Sequence, residues 1–395
     1  DLNELADWLK DCGITTVAME ATGVYWIPLF QILGDRGFEV CLVNARHVKN
    51  VPGRKSDVQD CQWLQYLHSV GLLNASFRPP AAICAVRSLM RHREGLMRAA
   101  CQHLLRVQKA LDQMNVQLHH AVTDITGLTG LAILDSIVAG ERDPEALARL
   151  RHYRCKKSEA EIAKALKGDW REEHLFTLRQ SLEAWRFHQA QMAECDTQIA
   201  EKMDALGDCG VGPAPPSPKQ GANAPDEPMR QELFEKFGVD LTAVEGISIQ
   251  TTLAFLGEVG TDVEKFPSAE HFASWLGLCP DNRITGGRTH AAHTRKVNNR
   301  LATALRMAAQ SLHRSKSALG DWFRRLKSKL GTKAAVTAAA HKLARILWAM
   351  VKHRRPYNPE RLGNPELARA RKERYLRRQA EQLGFALTPV HEEVS

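Results

Sequence analysis

No run of about 18 apolar residues, the length a membrane-crossing helix needs, occurs in this chain of 395 residues, and no charged-then-apolar leader opens it. The expectation is a cytoplasmic protein, neither exported nor inserted in a membrane. Cysteine pairs are missing too. The nine cysteines (Cys12, Cys41, Cys61, Cys84, Cys101, Cys155, Cys195, Cys209, Cys279) are odd in number and scattered without a C-x-x-C. They predict reduced, buried thiols rather than a disulfide framework or a zinc site. Acids are scarce where bases are dense. From Asn282 to Arg355 there are 18 Lys and Arg against one acid, Asp321, a net +17 within a chain whose total is +9. A segment so one-sided predicts a polyanionic partner, with nucleic acid first.

What the chain does contain is a globular composition, 44% hydrophobic and 25% charged, and enough length for two or three domains. Residues 2–12 place Leu2, Leu5, Trp8 and Leu9 on one helical face, and Gly13 stops the helix. Ile14–Glu20 and Phe38–Val43 read as apolar strands separated by a helix from Val24 to Leu33, the pattern of a parallel sheet covered on both faces. A basic loop, Arg46 to Lys55, leads into Ser56-Asp57-Val58-Gln59, a capping box that opens a helix to about Val70.

Met97, Ala100, Leu104, Val107, Leu111, Met114 and Leu118 recur at alternating steps of three and four, a coiled-coil seam. A second long helix carrying Leu175, Leu178, Leu182, Trp185, Met192, Cys195, Ile199 and Met203 is expected to fold back on it as an antiparallel hairpin. Gly207–Pro228 holds six Pro and four Gly and reads as a linker. The resulting domain map is 1–75, 76–206 helical, 207–230 linker, 231–356 helix-rich, and 357–395 a polar tail with a basic helix around Arg369–Arg378.

Candidate chemistry lies at two places. Glu20 ends an apolar strand, and open parallel sheets carry their sites beyond the carboxyl ends of strands. Asp57 and Asp60, at i and i+3, share one face of a helix start. Three converging carboxylates repel unless they hold hard divalent cations, and Mg2+ flanked by acids is a device for in-line attack on a phosphodiester. A helix dipole also favours Asp in any first turn, so spacing alone leaves a purely structural role open.

The second place is Thr285-Gly286-Gly287 between Arg283 and Arg288, where a hydroxyl beside two glycines is placed to meet a phosphate, or is simply part of a turn. Val244-Glu245-Gly246-Ile247 resembles half of a helix-hairpin-helix, whose turn offers backbone N–H groups to phosphate. His290 and His293 read as surface or phosphate contacts. The candidate nucleic-acid contacts are Arg46, Lys49, Arg54, Lys55, Arg283, Arg288, Arg295, Lys296, Arg300 and Arg306.

These segments, VAMEATGVYWIPL (Val17–Leu29), LVNARHVKNVPGRKSDVQDCQWL (Leu42–Leu64), GLLNASFRPP (Gly71–Pro80), FASWLGLCPDNRITGG (Phe272–Gly287) and TRKVNNRLATALRMAAQSL (Thr294–Leu312), resemble in order the DEDD transposases of bacterial insertion sequences, the insertion-sequence one-ten family. The resemblance implies an α/β plus α architecture: an RNase H-like, RuvC-like nuclease domain, a coiled-coil hairpin, and a helical C-terminal transposase domain. It places Glu20, Asp57 and Asp60 on the last three of four metal-binding acids. The first Asp would lie on an earlier strand ahead of residue 1, so the chain is expected to be N-terminally truncated, because Asp1 opens a helix.

The family's nucleophilic serine in a Ser-Gly-Gly context falls on Thr285, a slower and more crowded alcohol. The resemblance further implies Mg2+, DNA cleavage and rejoining through a covalent protein–DNA intermediate, a homo-oligomer joined by the coiled coil, and a structured guide RNA. It also implies a bacterial, nucleoid-associated location. Two rivals follow from the same residues: an inactive nucleic-acid-binding remnant, and a structure-selective nuclease that needs only the N-terminal acids.

Overall fold

The computed structural model describes residues 1–48, 57–210, 212–219, 225–286, 288–295, 297–359 and 365–386. It is 64% helix with little sheet, an α/β plus α chain that divides between Pro79 and Pro80 into two units.

The first unit runs α1 (Leu2–Asp11), β1 (Thr16–Glu20), α2 (Trp26–Asp35), β2 (Glu39–Val43), α3 (Ala45–Val48) and α4 (Asp57–Ser69). Asp1 caps α1 in a capping box with Glu4, a local signal separate from the apolar face. β1 and β2 pair in parallel, Thr16 beside Glu39 and Glu20 beside Val43. Ala6, Met19, Leu33, Phe38 and Leu42 form the core between sheet and helices. Burying each of the larger side chains contributes about 1.5–3 kcal/mol. Ser56, proposed as the cap of α4, lies outside the described residues.

The second unit opens on two 33-residue helices, α5 (Ala81–Gln113) and α10 (Glu172–Asp204). They run antiparallel, because Arg93 pairs with Asp196 while His103, ten residues further along α5, stacks on His188, eight residues back along α10. Between them α6 (Leu118–Ala121), α7 (Leu128–Val138), α8 (Pro144–Arg149) and α9 (Glu159–Ala165) pack onto the far end of the hairpin, around Leu111, Met114, Ile133, Leu134, Leu147 and Ile162. The expected seam overruns this geometry: α5 stops at Gln113, Asn115 turns the chain at φ 58, and Leu118 belongs to α6. Met97 is 44% exposed, so the first buried member of the expected seam is Ala100.

The Pro/Gly-rich stretch is irregular, yet it is tied down. Cys209 and Gly210 amides donate to Glu235 O, the Ala214 amide to Gln231, and Lys236 Nζ to Leu206 O at 3.0 Å and Asp208 at 2.6 Å. These contacts run between α11 (Glu227–Phe237) and the described residues of the stretch or Leu206 just ahead of it. Composition reports only the lack of regular structure, and buried polar partners decide whether such a segment is a spacer.

Beyond α11 come α12 (Ile249–Glu258), α13 (Ala269–Trp275), β3 (Pro280–Thr285), β4 (Arg288–Thr294), α14 (Arg300–Ser311), α15 (Ala318–Leu330), α16 (Thr332–His353) and α17 (Pro365–Gln382). The antiparallel β3–β4 hairpin corrects the helix-and-turn expectation for this stretch. Its strands are polar and basic, so no apolar alternation announces them. α16 is long and apolar enough to cross a membrane by length and composition, with 56% of that window buried in the protein. Its Ala339, Ala340, Leu343, Ala344 and Leu347 are fully buried core. α5 packs on α12, where the buried carboxylate of Glu258 takes Arg91 at 2.7 Å and Arg87 at 3.9 Å.

The cysteine expectation needs correcting as well. All nine are free, but only Cys195 is buried, while Cys12, Cys61, Cys101 and Cys209 are exposed. Cys61 lies on α4, a helix with no fully buried residue, and Cys101 sits on the open side of α5, so helical position outweighs the usual burial of the residue type.

Candidate active site

In the first unit the geometry is set by the direction of α4 relative to β1. At one end Thr16 Oγ1 meets His68 Nε2 at 3.0 Å, pinning the last turn of α4 to the first residue of β1. At the other, Trp63 Nε1 donates to Val48 O at 3.2 Å, and Trp63 and Leu67 share a cavity of about 240 Å³ with Val43 and Val48. α4 therefore runs against the strands. From Thr16 to Glu20 the strand rises about 13 Å, and from His68 back to Asp60 the helix rises about 12 Å. By these rises Asp60 lies toward the carboxyl end of β1, which Glu20 closes, with Asp57 one turn further along α4.

Glu20 is half-buried and its Oε1 accepts from the Thr22 hydroxyl at 2.8 Å. Asp57 and Asp60 are exposed in the first turn of α4. These are hard oxygen donors of the kind a divalent cation takes. They are not gathered. Among the described residues, no three His, Cys, Asp or Glu side chains form a group able to hold a metal ion. Lys49, Arg54 and Lys55, the bases expected beside these acids, lie outside the described residues, as does the side chain of Arg46 in α3.

In the second unit Thr285 stands at the mouth of the β3–β4 hairpin, exposed and opposite Arg288, with Gly286 at φ 55. Gly286 supplies the positive φ that a tight hairpin demands, and the Gly286-Gly287 dipeptide is the one local signal of the hairpin in the sequence. Among the described residues, a Cβ added at Gly286 would meet nothing within 4 Å. The side chains of Arg283, Arg288, His290 and His293, and the whole of Gly287 and Lys296, lie outside the described residues.

The remaining candidate contacts are already engaged. Arg295 donates to Ser274 O at 2.6 Å, Arg300 pairs with Glu94 at 2.8 Å, and Arg306 reaches Gly277 O at 3.4 Å. These cations position the hairpin base and α14 against their neighbours. Sequence reasoning missed Lys219 and Tyr357, which hold the turn around residue 245 from distant parts of the chain, and Arg230, which pairs with Asp240.

Residues 1–116 match a family model described as transposase, the DEDD type of IS110 elements, and residues 240–323 match the model of the transposase IS116/IS110/IS902 family. Together they cover half of the chain.

The chain belongs to the IS110 family of transposases.

A relative from Pseudomonas aeruginosa, named probable family 20 transposase, is 24% identical over 375 residues, 90% of this chain and 89% of its own length. An insertion element IS110 protein of 43.6 kDa from Streptomyces coelicolor is 29% identical over 131 residues, 32% of each chain. This transposase is thus an enzyme of DNA rearrangement with DNA as its partner, from a family that is generally dependent on divalent metal.

Proposed function

We propose that this chain cuts and rejoins DNA to move an insertion sequence, using Glu20, Asp57 and Asp60 as ligands of Mg2+ and the Thr285 hydroxyl as nucleophile. The observation that carries the reading is an acid at the carboxyl end of β1, in a parallel strand pair, with two more acids in the first turn of α4. That arrangement, in a chain whose first 116 residues match a DEDD transposase model, also supports an RNase H-like reading of the first unit. Bound there, Mg2+ would supply Lewis-acid polarisation of a phosphodiester.

The other tasks fall to the chain. Thr285 Oγ1 attacks phosphorus, an O–P bond forms as the bond to the leaving strand breaks, the hydroxyl proton passes to solvent, and the leaving oxygen takes one up. The energy of the broken bond stays in the protein–DNA linkage for rejoining. Arg46, Lys49, Arg54 and Lys55 in the first unit, and Arg283, Arg288 and Lys296 in the second, are the cations assigned to the phosphate backbone. A structured guide RNA is assigned to the same basic character, and self-association to the α5–α10 hairpin.

A second reading, the inactive nucleic-acid-binding remnant, is favoured by one observation: the described carboxylates do not form a metal-binding group. Incubating the chain with Mg2+ and a circular DNA junction of its own element separates the two. Strand breaks that vanish on chelation of the metal are expected. Tight binding with no breakage, indifferent to metal, would leave the remnant.

A further inference from the structure

The irregular stretch ahead of α11 contains a lysine, Lys219, that the proposed chemistry does not use. Lys219 Nζ donates to Val244 O at 3.0 Å and to Ile247 O at 2.5 Å, the first and last residues of the turn that leads into α12. Gly246 lies inside that turn at φ 83, where a Cβ would stand 2.6 Å from Ala308 O and 3.1 Å from Ser311 Oγ. The turn is thus pressed against α14. From the far side, Tyr357 donates its hydroxyl to Glu245 Oε2 at 2.6 Å.

The Val244 and Ile247 carbonyls converge on the ammonium, which offsets their mutual repulsion, while Val244 O also accepts the Ile247 amide at 3.1 Å. In an open turn that point is a place for a monovalent ion, and here the chain fills it with its own ammonium. Burial pushes the Lys219 pKa down, and the carboxylates of Asp240 and Glu245 act in the opposite sense. The outward side of the turn, with Gly246, Ser248 and Thr251 facing Met307 and Ser311, borders an open hollow of about 320 Å³.

We propose that Lys219 is a positioning residue, a built-in cation that fixes the Val244–Ile247 turn for contact with the DNA backbone. The proposal rests on the DNA-binding reading of the second unit. It differs from a merely structural role because a cation site can be refilled from solution, whereas lost packing cannot.

The test uses the full chain, as wild type, Lys219→Ala and Lys219→Met, at one ionic strength set by choline, potassium or ammonium. Without DNA, amide exchange at residues 244–248 is expected to accelerate in Lys219→Ala under choline and to slow again under ammonium or potassium. Lys219→Met, whose apolar end fills the same space, is expected to accelerate in all three. Binding to a short duplex should follow, about tenfold weaker for Lys219→Ala in choline and restored by ammonium, a factor equal to about one strong charge-assisted contact. Exchange that stays at the wild-type rate in Lys219→Ala, or rises with no response to ammonium or potassium, overturns the proposal. A wild-type chain that fails to hold the duplex overturns the DNA reading itself, and the exchange measurement tells that failure apart from failure of Lys219.

Discussion

Asp57→Asn is expected to remove Mg2+-dependent DNA cleavage by at least about 100-fold, since several kcal/mol of charge stabilisation disappear with a metal ligand and each 1.4 kcal/mol is about tenfold. The same substitution should leave thermal unfolding unchanged. Asp57 is exposed at the start of α4, a helix with no fully buried residue, and an isosteric amide there alters no packing. Exposed substitutions of this kind stay within about 0.5 kcal/mol. The separation of the two readouts is what gives the variant its value: lost cleavage with an unmoved melting temperature assigns Asp57 to chemistry, and unimpaired cleavage removes it from the site. Asp60→Asn should behave alike.

The largest stability effect is expected at Arg230. Its side chain is wholly buried, yet it carries a charge that is matched on three sides by Glu227, Asp240 and the carbonyl of Pro215. Nε donates to Asp240 Oδ2 at 2.9 Å, and the same carboxylate accepts the Thr242 amide at 2.9 Å and its hydroxyl at 2.6 Å. Arg230→Ala strands the Asp240 carboxylate, 8% exposed, without its counter-charge and frees the strap around α11. Removing one partner of a buried pair costs about 3–5 kcal/mol. For a unit of this size that is a fall on the order of 10 °C in melting temperature, measurable by calorimetry. A fall of 2 °C or less would mean that water reaches Asp240 and that the strap is loosely held.

Much of the first unit was legible because its signals are local. Apolar runs at Thr16–Glu20 and Glu39–Val43 can be satisfied only by burial in a sheet, and Asp57 and Asp60 are three apart on any helix. Their failure to gather with Glu20 into one ligand group was not legible, because carboxylate spacing across elements is a tertiary quantity.

In the second unit periodicity misled where it ignored backbone direction. The three-four repeat continues through Asn115, but a left-handed residue ends α5 there and redirects Met114 and Leu118 into the packing of the smaller helices. The β3–β4 hairpin escaped because Asp281, Asn282, Arg283 and the histidines of β4 lack alternation, leaving Gly286-Gly287 as its one signal. The strap was invisible for another reason. Arg230, Lys219 and Lys236 look like ordinary surface cations in sequence, and the burial of Arg230 and Lys236 and the half-burial of Lys219 go with partners up to 30 residues away.

The central claim is a covalent step at Thr285, and one measurement meets it directly. Incubation of the chain with Mg2+ and labelled junction DNA, followed by denaturing electrophoresis, reads whether DNA travels with the protein. The account predicts a band of protein-linked DNA that is lost in Thr285→Ala, restored in Thr285→Ser, and absent in Asp57→Asn. Thr285 is exposed at a hairpin tip, so these variants should fold as the wild type does. Strand cleavage at the wild-type rate in Thr285→Ala, with no protein-linked DNA in any variant, would contradict it and leave the N-terminal acids as a nuclease acting alone.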